Sequence, residues 1–310
     1  MRILLLLSLA FGASAADFPQ AEIASGPVRA RVYLPNAENG YYRATRFDWA
    51  GVIASALYKD HEFFGQWFPR YDPKLHDSIV GPVESFGAIG YNQAKPGDTF
   101  LRLGVGLLRR IDERPVNDFT TYEIADGGRW TSVPAADHVD ITQELNGWYV
   151  YTKTVRVDGG KRLLILDHVL KNTGKETLET DVFNHDFFMI GGLPSGPDIT
   201  VTFPFDTRAT ANLKGLAEMR GKQMVYLREL VRNESIMTDL EGYGQSASDY
   251  DIRVENKQAK TGVRQTSDHP LSKLRLWSIR TTVCPEAYTH VKVEPGKEFR
   301  WRVAFEFYEM

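Results

Sequence analysis

An antiparallel β-sandwich or barrel is the all-β fold class that this sequence predicts, and three observations predict it. Short segments rich in Val, Ile, Thr, Tyr, Phe and Trp recur along the 310 residues, punctuated by Gly, Pro, Asn and Asp. Apolar spacing of helical period and useful length is missing over most of the chain. The chain also closes on two β-rich runs joined by a Pro-Gly turn, the signature of a terminal hairpin.

The elements follow in order. Val28 to Tyr33 alternates apolar and polar residues. Trp148 to Val157 runs into Asp158-Gly159-Gly160 and then Leu163 to Leu170, which reads as a hairpin. A further strand, Leu178 to Phe183, follows the turn Asn172-Thr173-Gly174-Lys175, and Ile199 to Phe203 reads as another. The close is Lys292 to Glu294, the turn Pro295-Gly296-Lys297, and Phe299 to Tyr308. Leu213 to Val231 suits either a short helix or a hairpin, and periodicity alone does not arbitrate. No repeat, low-complexity tract or linker interrupts the chain, and large β-sandwiches run past about 200 residues as one unit, so residues 16–310 are expected to form one domain.

The amino terminus has a different character. Arg2 precedes the apolar run Ile3 to Phe11, and Ala13-Ser14-Ala15 closes the segment before Ala16 and Asp17. That order describes a signal peptide over residues 1–15, which leaves the fold and implies an exported protein, periplasmic or secreted. The run has about half of the ~20 apolar residues that a membrane-spanning helix needs, and no other stretch is long and uncharged enough to span.

Composition narrows the partners. The formal charge is -3 with no clustered Lys/Arg stripe, so there is no electrostatic footprint for nucleic acid. A neutral or mildly charged small molecule fits better. Cys284 is the one cysteine, so no disulfide forms within the chain and the core must hold it unaided.

Several chemistries lack their motifs. Leu103-Gly104-Val105-Gly106 is missing the third glycine of a dinucleotide loop and reads as a tight approach between strands. His61-Glu62 has no second histidine at helical spacing, no His/Asp/Glu cluster has metal-ligand spacing, and no Gly-x-Ser-x-Gly elbow exists. No cofactor or metal is expected on these grounds. Two motifs remain, far apart in sequence: Asn184-His185-Asp186-Phe187-Phe188 at the end of one strand, and Cys284-Pro285-Glu286-Ala287-Tyr288 after the apolar strand Leu274 to Ile279. A His and a Glu at strand ends can meet across a sheet. His76, His138, His269 and His290 read as surface or loop residues, and His168 as a strand residue facing outward or into a satisfied core position.

The stretch from Trp148 to Phe188, with paired strands, an Asn-Thr-Gly turn and then Asn184-His185-Asp186-Phe187-Phe188, resembles the middle of a galactose mutarotase (aldose 1-epimerase). Trp277 to Trp301, carrying Glu286 and the Pro295-Gly296 turn, resembles that family's catalytic-glutamate segment. The likeness covers the second half of the chain well and the first half loosely. It implies a single-domain galactose mutarotase-like β-sandwich (supersandwich) acting on a carbohydrate. By this resemblance Glu286 is the general base and His185 the general acid that interconvert the anomers of a free sugar. Asp249 would bind sugar hydroxyls, while Trp277 and Phe187 would stack on the sugar's apolar face.

The first half departs from the family. Its Asn-Arg pair and second histidine are not matched by Arg43-Ala44-Thr45-Arg46 or by Gly81-Pro82-Val83-Glu84. Arg46, Arg102 or Glu84 would then line the pocket instead. Two other classes stay open: a non-catalytic carbohydrate-binding protein, with an open aromatic groove and with His185 and Glu286 apart or packed away, and a polysaccharide lyase, for which Tyr41, Tyr42, Arg43 and Arg46 are the candidates.

Overall fold

The structure is a computed structural model and describes residues 18–310; the leader read over residues 1–15 lies outside them. All paired strands described are antiparallel. The largest sheet has ten strands, with Thr261–Ser267, Glu298–Glu309, Leu163–Asn172 and Tyr149–Asp158 side by side near its middle. A six-stranded sheet carries Ser235–Glu241, Lys273–Ile279, Thr282–Val293, Leu178–His185 and Val83–Phe86 as consecutive neighbours. Sheets of four and three strands are built from the first half. The fold is therefore the predicted all-β one.

Alternation decides which faces meet. Along Tyr149–Asp158 the odd residues are buried and the even ones partly exposed. Lys273–Ile279 buries Leu274, Leu276 and Ser278 and leaves Lys273, Arg275, Trp277 and Ile279 partly open. Leu166, Leu170, Val303 and Phe305 of the large sheet and Leu274, Leu276, Val283 and Val291 of the six-stranded sheet belong to one hydrophobic cluster. Burying apolar surface at about 25 cal/mol per Å² makes that shared layer the main stabilising term. It does so without a disulfide, Cys284 being buried and free.

Between the layers sits a buried ionic knot. Glu84 accepts Nε2–H of His168 at 2.8 Å and Asn184 Nδ2 at 3.0 Å, and pairs with the Lys153 ammonium, all of them buried. Burial pushes the Glu84 carboxyl up, but Lys153 and His168 more than offset this and hold it below the ordinary range. Glu84 is thus a core residue rather than a pocket wall, and His168 fills the satisfied core position.

The two closing runs do not form the expected terminal hairpin, because Thr282–Val293 joins the six-stranded sheet and Glu298–Glu309 the ten-stranded one. The hairpin read over Trp148 to Leu170 is Tyr149–Asp158 with Leu163–Asn172, and Leu213 to Val231 resolves into a hairpin of Ala217–Arg220 with Gln223–Tyr226. Gly104 has φ +73°, and a Cβ there would meet Asp48 Oδ1 at 2.3 Å, so the tight approach requires glycine. No helix among the described residues is long and apolar enough to cross a membrane.

Candidate functional site

The site lies on the side of the six-stranded sheet turned away from the core. Trp277 pairs with Cys284 and Met237, Arg275 with Glu286 and Asp239, and Phe183 with Tyr288. Directly opposed antiparallel residues share a face, so pairing and the period of two together collect these side chains on one surface. Phe183–Tyr288 is the last ladder pair of its two strands, and His185, two residues further on, reaches Glu286, two residues back.

His185 Nε2 stands 3.6 Å from Glu286 Oε1, with only 4% and 6% of the two side chains exposed. The imidazole is fixed on several sides. Phe187 stacks on it at 3.7 Å between ring centroids and 8° between planes, and Trp277 and Phe47 meet it edge-on at 5.2 Å and 5.7 Å. Phe187 achieves this with φ at +49°, a left-handed conformation rare for an aromatic residue and of the kind that gathers at functional sites. The chain packs closely behind it, since a Cβ on Gly81 would meet the His185 carbonyl oxygen at 2.4 Å. On its other nitrogen, Nδ1, the ring is 2.9 Å from Cys284 Sγ, which also accepts the Asp186 backbone N–H at 3.1 Å.

Glu286 accepts the Tyr288 hydroxyl at 3.2 Å. Burial raises its pKa above 4.5, against the opposing pull of the Arg275 and Arg46 guanidinium groups and the Tyr288 hydrogen bond. Burial, with the Arg46 charge adding to it, holds His185 well below 6.5, so its imidazole is neutral at pH 7. The pair is thus an uncharged imidazole beside a carboxyl of strengthened basicity.

In front of this pair is a cavity of ≈ 240 Å³, walled by aromatic rings (Trp67, Phe183, Phe187, Trp277, Tyr288, Phe119) and by Arg46, Arg275, Asp77 and Asp118. The cations are anchored: Arg46 donates to Asp77 at 2.8 Å and Arg275 to Asp239 at 2.7 Å. Aromatic faces with a few fixed polar groups are what a small polyhydroxylated ligand needs.

Of the residues singled out in the sequence, His185, Glu286, Phe187, Trp277 and Arg46 line this cavity. Asp249 and Arg102 do not. Asp249 ends a short turn, where its carboxylate accepts the Gly244 N–H, because the chain before it folds back locally. Arg102, 1% exposed, supports the wall from behind by donating to Asp118 at 2.6 Å and to the Arg46 carbonyl at 3.2 Å. Tyr41 and Tyr42 are packed in the aromatic core, Tyr42 donating to the His76 carbonyl, and burial raises both hydroxyls far above 10.0, so neither is a lyase base. Arg275 and Tyr288 were missed although the alternation carried them: each stands two residues from a chosen one, Trp277 or Glu286, on the same strand. Cys284, two residues before Glu286 on the same strand, carries the same signal, and Trp67, from the first half, has none.

The fold also assembles a donor group that linear spacing did not reveal. One atom each of His185, Cys284 and Glu286 lie within 4.8 Å of one another, a set that a borderline cation takes. A thiol must be ionised to bind a metal. Here burial, with Asp186 and Glu286 adding negative charge, raises the Cys284 thiol well above 9.0, and its contacts are hydrogen bonds.

No protein-family model and no curated protein matches the sequence. Solved structures do match in fold. A galactose mutarotase-like protein from Lactobacillus casei ATCC 334 is 12% identical, with 93% of this chain and 100% of that one covered at a TM-score of 0.58. A galactose mutarotase-like protein from Clostridium acetobutylicum is 12% identical, with 93% and 95% covered at 0.57. The aldose epimerase homologue from C. elegans is 11% identical, with 94% and 99% covered at 0.52. At the level of the fold, the chain is a galactose mutarotase-like β-sandwich.

Proposed function

We propose that this chain is an aldose 1-epimerase-like isomerase that interconverts the anomers of a free sugar. The carrying observation is that His185 Nε2 and Glu286 Oε1, 101 residues apart in sequence, meet at 3.6 Å on an aromatic cavity. Glu286 removes the proton of the anomeric hydroxyl while Nε2–H of His185 gives its proton to the ring oxygen, and the C1–O bond of the ring breaks. Rotation about C1–C2 turns the aldehyde over. Closure on the other face returns one proton to each residue, so the cycle leaves both as they began. Each such transfer contributes about 10²- to 10⁴-fold. Trp277 and Phe187 offer rings to the sugar's apolar face, and Arg46 and Arg275 offer donors to its hydroxyls.

Because burial keeps His185 neutral, its Nε2–H meets the ring oxygen as a hydrogen-bond donor, and the proton passes over only as that oxygen gains basicity on C1–O cleavage. Export to the periplasm or exterior is part of the reading and is supported by the leader-like order of residues 1–15. A purely binding role calls for no buried carboxylate beside an imidazole, and its burial costs stability.

The test is anomer interconversion on a panel of aldoses, followed by polarimetry and saturation-exchange NMR, with His185→Ala and Glu286→Ala in parallel. Acceleration that both variants lose supports the reading. No acceleration on any aldose by folded protein moves the function to carbohydrate binding.

A further inference from the structure

Trp67 is a wall shared by two concavities. On one side it closes the cavity before His185, and on the other it borders a cleft of ≈ 640 Å³ bounded by Pro69, the turn at Ile279 to Thr281 and the loop from Val231 to Ser235. The indole is held firmly. Its Nε1–H donates to the Ile79 carbonyl at 2.8 Å, its ring stacks on Phe187 at 4.7 Å and 10°, and its own carbonyl accepts the Thr281 hydroxyl at 2.9 Å.

The two concavities also share one face of the sheet. Met237 pairs with Trp277 at the cavity, and Ser235 pairs with Ile279 at the cleft, two residues along the same strands. No change of face interrupts the path. Met237 is 57% exposed and Val231 56%, and with Phe119 at 57% they are three of the nine large apolar side chains exposed among the described residues. Their gathering along one cavity-and-cleft line marks a ligand surface rather than scattered surface residues. The loop itself is shaped at a cost: Asn233 holds φ at +114°, which L residues rarely adopt.

We infer that the substrate is a short saccharide chain, its reducing-end unit between His185 and Glu286 and its next units crossing Trp67 into the cleft. This rests on the isomerase reading. Epimerisation needs a free anomeric hydroxyl facing the acid and base, so any extension leaves from the other end of the ring. Of the charged groups lining the cleft, Glu234 is paired with Arg228 and Arg280 with Glu229. Arg232 is then the one charged group of the lining without an ion-pair partner among the described residues, and a single positive charge is not the cationic groove that a polyanion needs.

The experiment compares glucose and xylose with maltotriose, cellotriose and xylotriose, measuring anomer exchange and, separately, equilibrium binding by ligand-observed NMR. For at least one trisaccharide, kcat/KM and affinity are expected to exceed those of its monomer by roughly tenfold, as about 1.4 kcal/mol of added contact gives. Val231→Asp is expected to bring that ratio down towards one. Equal values for every trisaccharide and its monomer, or a ratio that Val231→Asp leaves intact, overturns the inference. Val231-dependent binding of a trisaccharide without anomer exchange keeps the cleft and sinks the isomerase reading; exchange without dependence on chain length does the reverse.

Discussion

Cys284 Sγ lies 2.9 Å from His185 Nδ1 and receives the Asp186 N–H at 3.1 Å. From the protons available to this contact we assign the histidine tautomer. Burial keeps the thiol protonated and the imidazole neutral, so one S–H and one ring N–H must be placed. With S–H directed at Nδ1 both sulfur contacts are used, and the ring proton sits on Nε2, the nitrogen near Glu286.

Nitrogen-15 NMR of the histidine side chains is therefore expected to show Nε2 of His185 protonated and Nδ1 bare in the wild type. Cys284→Ala should populate the other tautomer and lower kcat more than it changes KM. A bare Nε2 in the wild type would refute the assignment.

The pH profile follows from Glu286. A base must be ionised, and the carboxyl is raised above 4.5, so kcat/KM should climb with pH through a midpoint above that value. Removing the Arg275 charge in Arg275→Met takes away the largest influence that lowers this pKa, and the climb should move to higher pH. A rate profile that does not respond to Arg275→Met would show that another group titrates.

Glu286 also makes a stability prediction. The fold holds its proton more tightly than the unfolded chain does, so its contribution is fully present below pH 4.5 and is lost as pH rises through the elevated folded value. At pH 7 the ionised side chain is a net cost. Glu286→Gln should raise Tm at pH 7, leave it little changed near pH 4, and reduce anomer exchange by about 10²- to 10⁴-fold. Calorimetry at the two pH values checks the sign.

The ionic knot should respond in the opposite sense. Lys153→Met leaves Glu84 buried without its ammonium partner and should cost about 3–5 kcal/mol in urea unfolding. The double variant with Glu84→Gln should recover part of that loss. An effect of the single change below about 1 kcal/mol would mean that water reaches Glu84.

The proposed proton transfers between Glu286, His185 and the sugar use no metal, so dialysis against a chelator should leave anomer exchange unchanged. Loss of activity restored by Zn²⁺ would reassign His185, Cys284 and Glu286 as ligands.

What the sequence by itself determined was local and periodic. The alternation in Tyr149–Asp158 and the Gly-Gly turn after it specify a hairpin, because a side-chain period of two has one way to bury an apolar face. The same alternation carried Arg275 beside Trp277 and Tyr288 beside Glu286. Short motifs at strand ends were enough to bring His185 and Glu286 forward. Only the tertiary structure decided what depends on pairing between distant strands. It set Cys284 behind His185, brought Trp67 from the first half against Phe187, and left Asp249 serving its own turn. It also drew Glu84, legible as a polar residue near a glycine, into the core, where Lys153 and His168 compensate its charge. Contacts between residues about 100 positions apart leave no periodic trace along the chain, since what fixes them is the register and stacking of whole sheets.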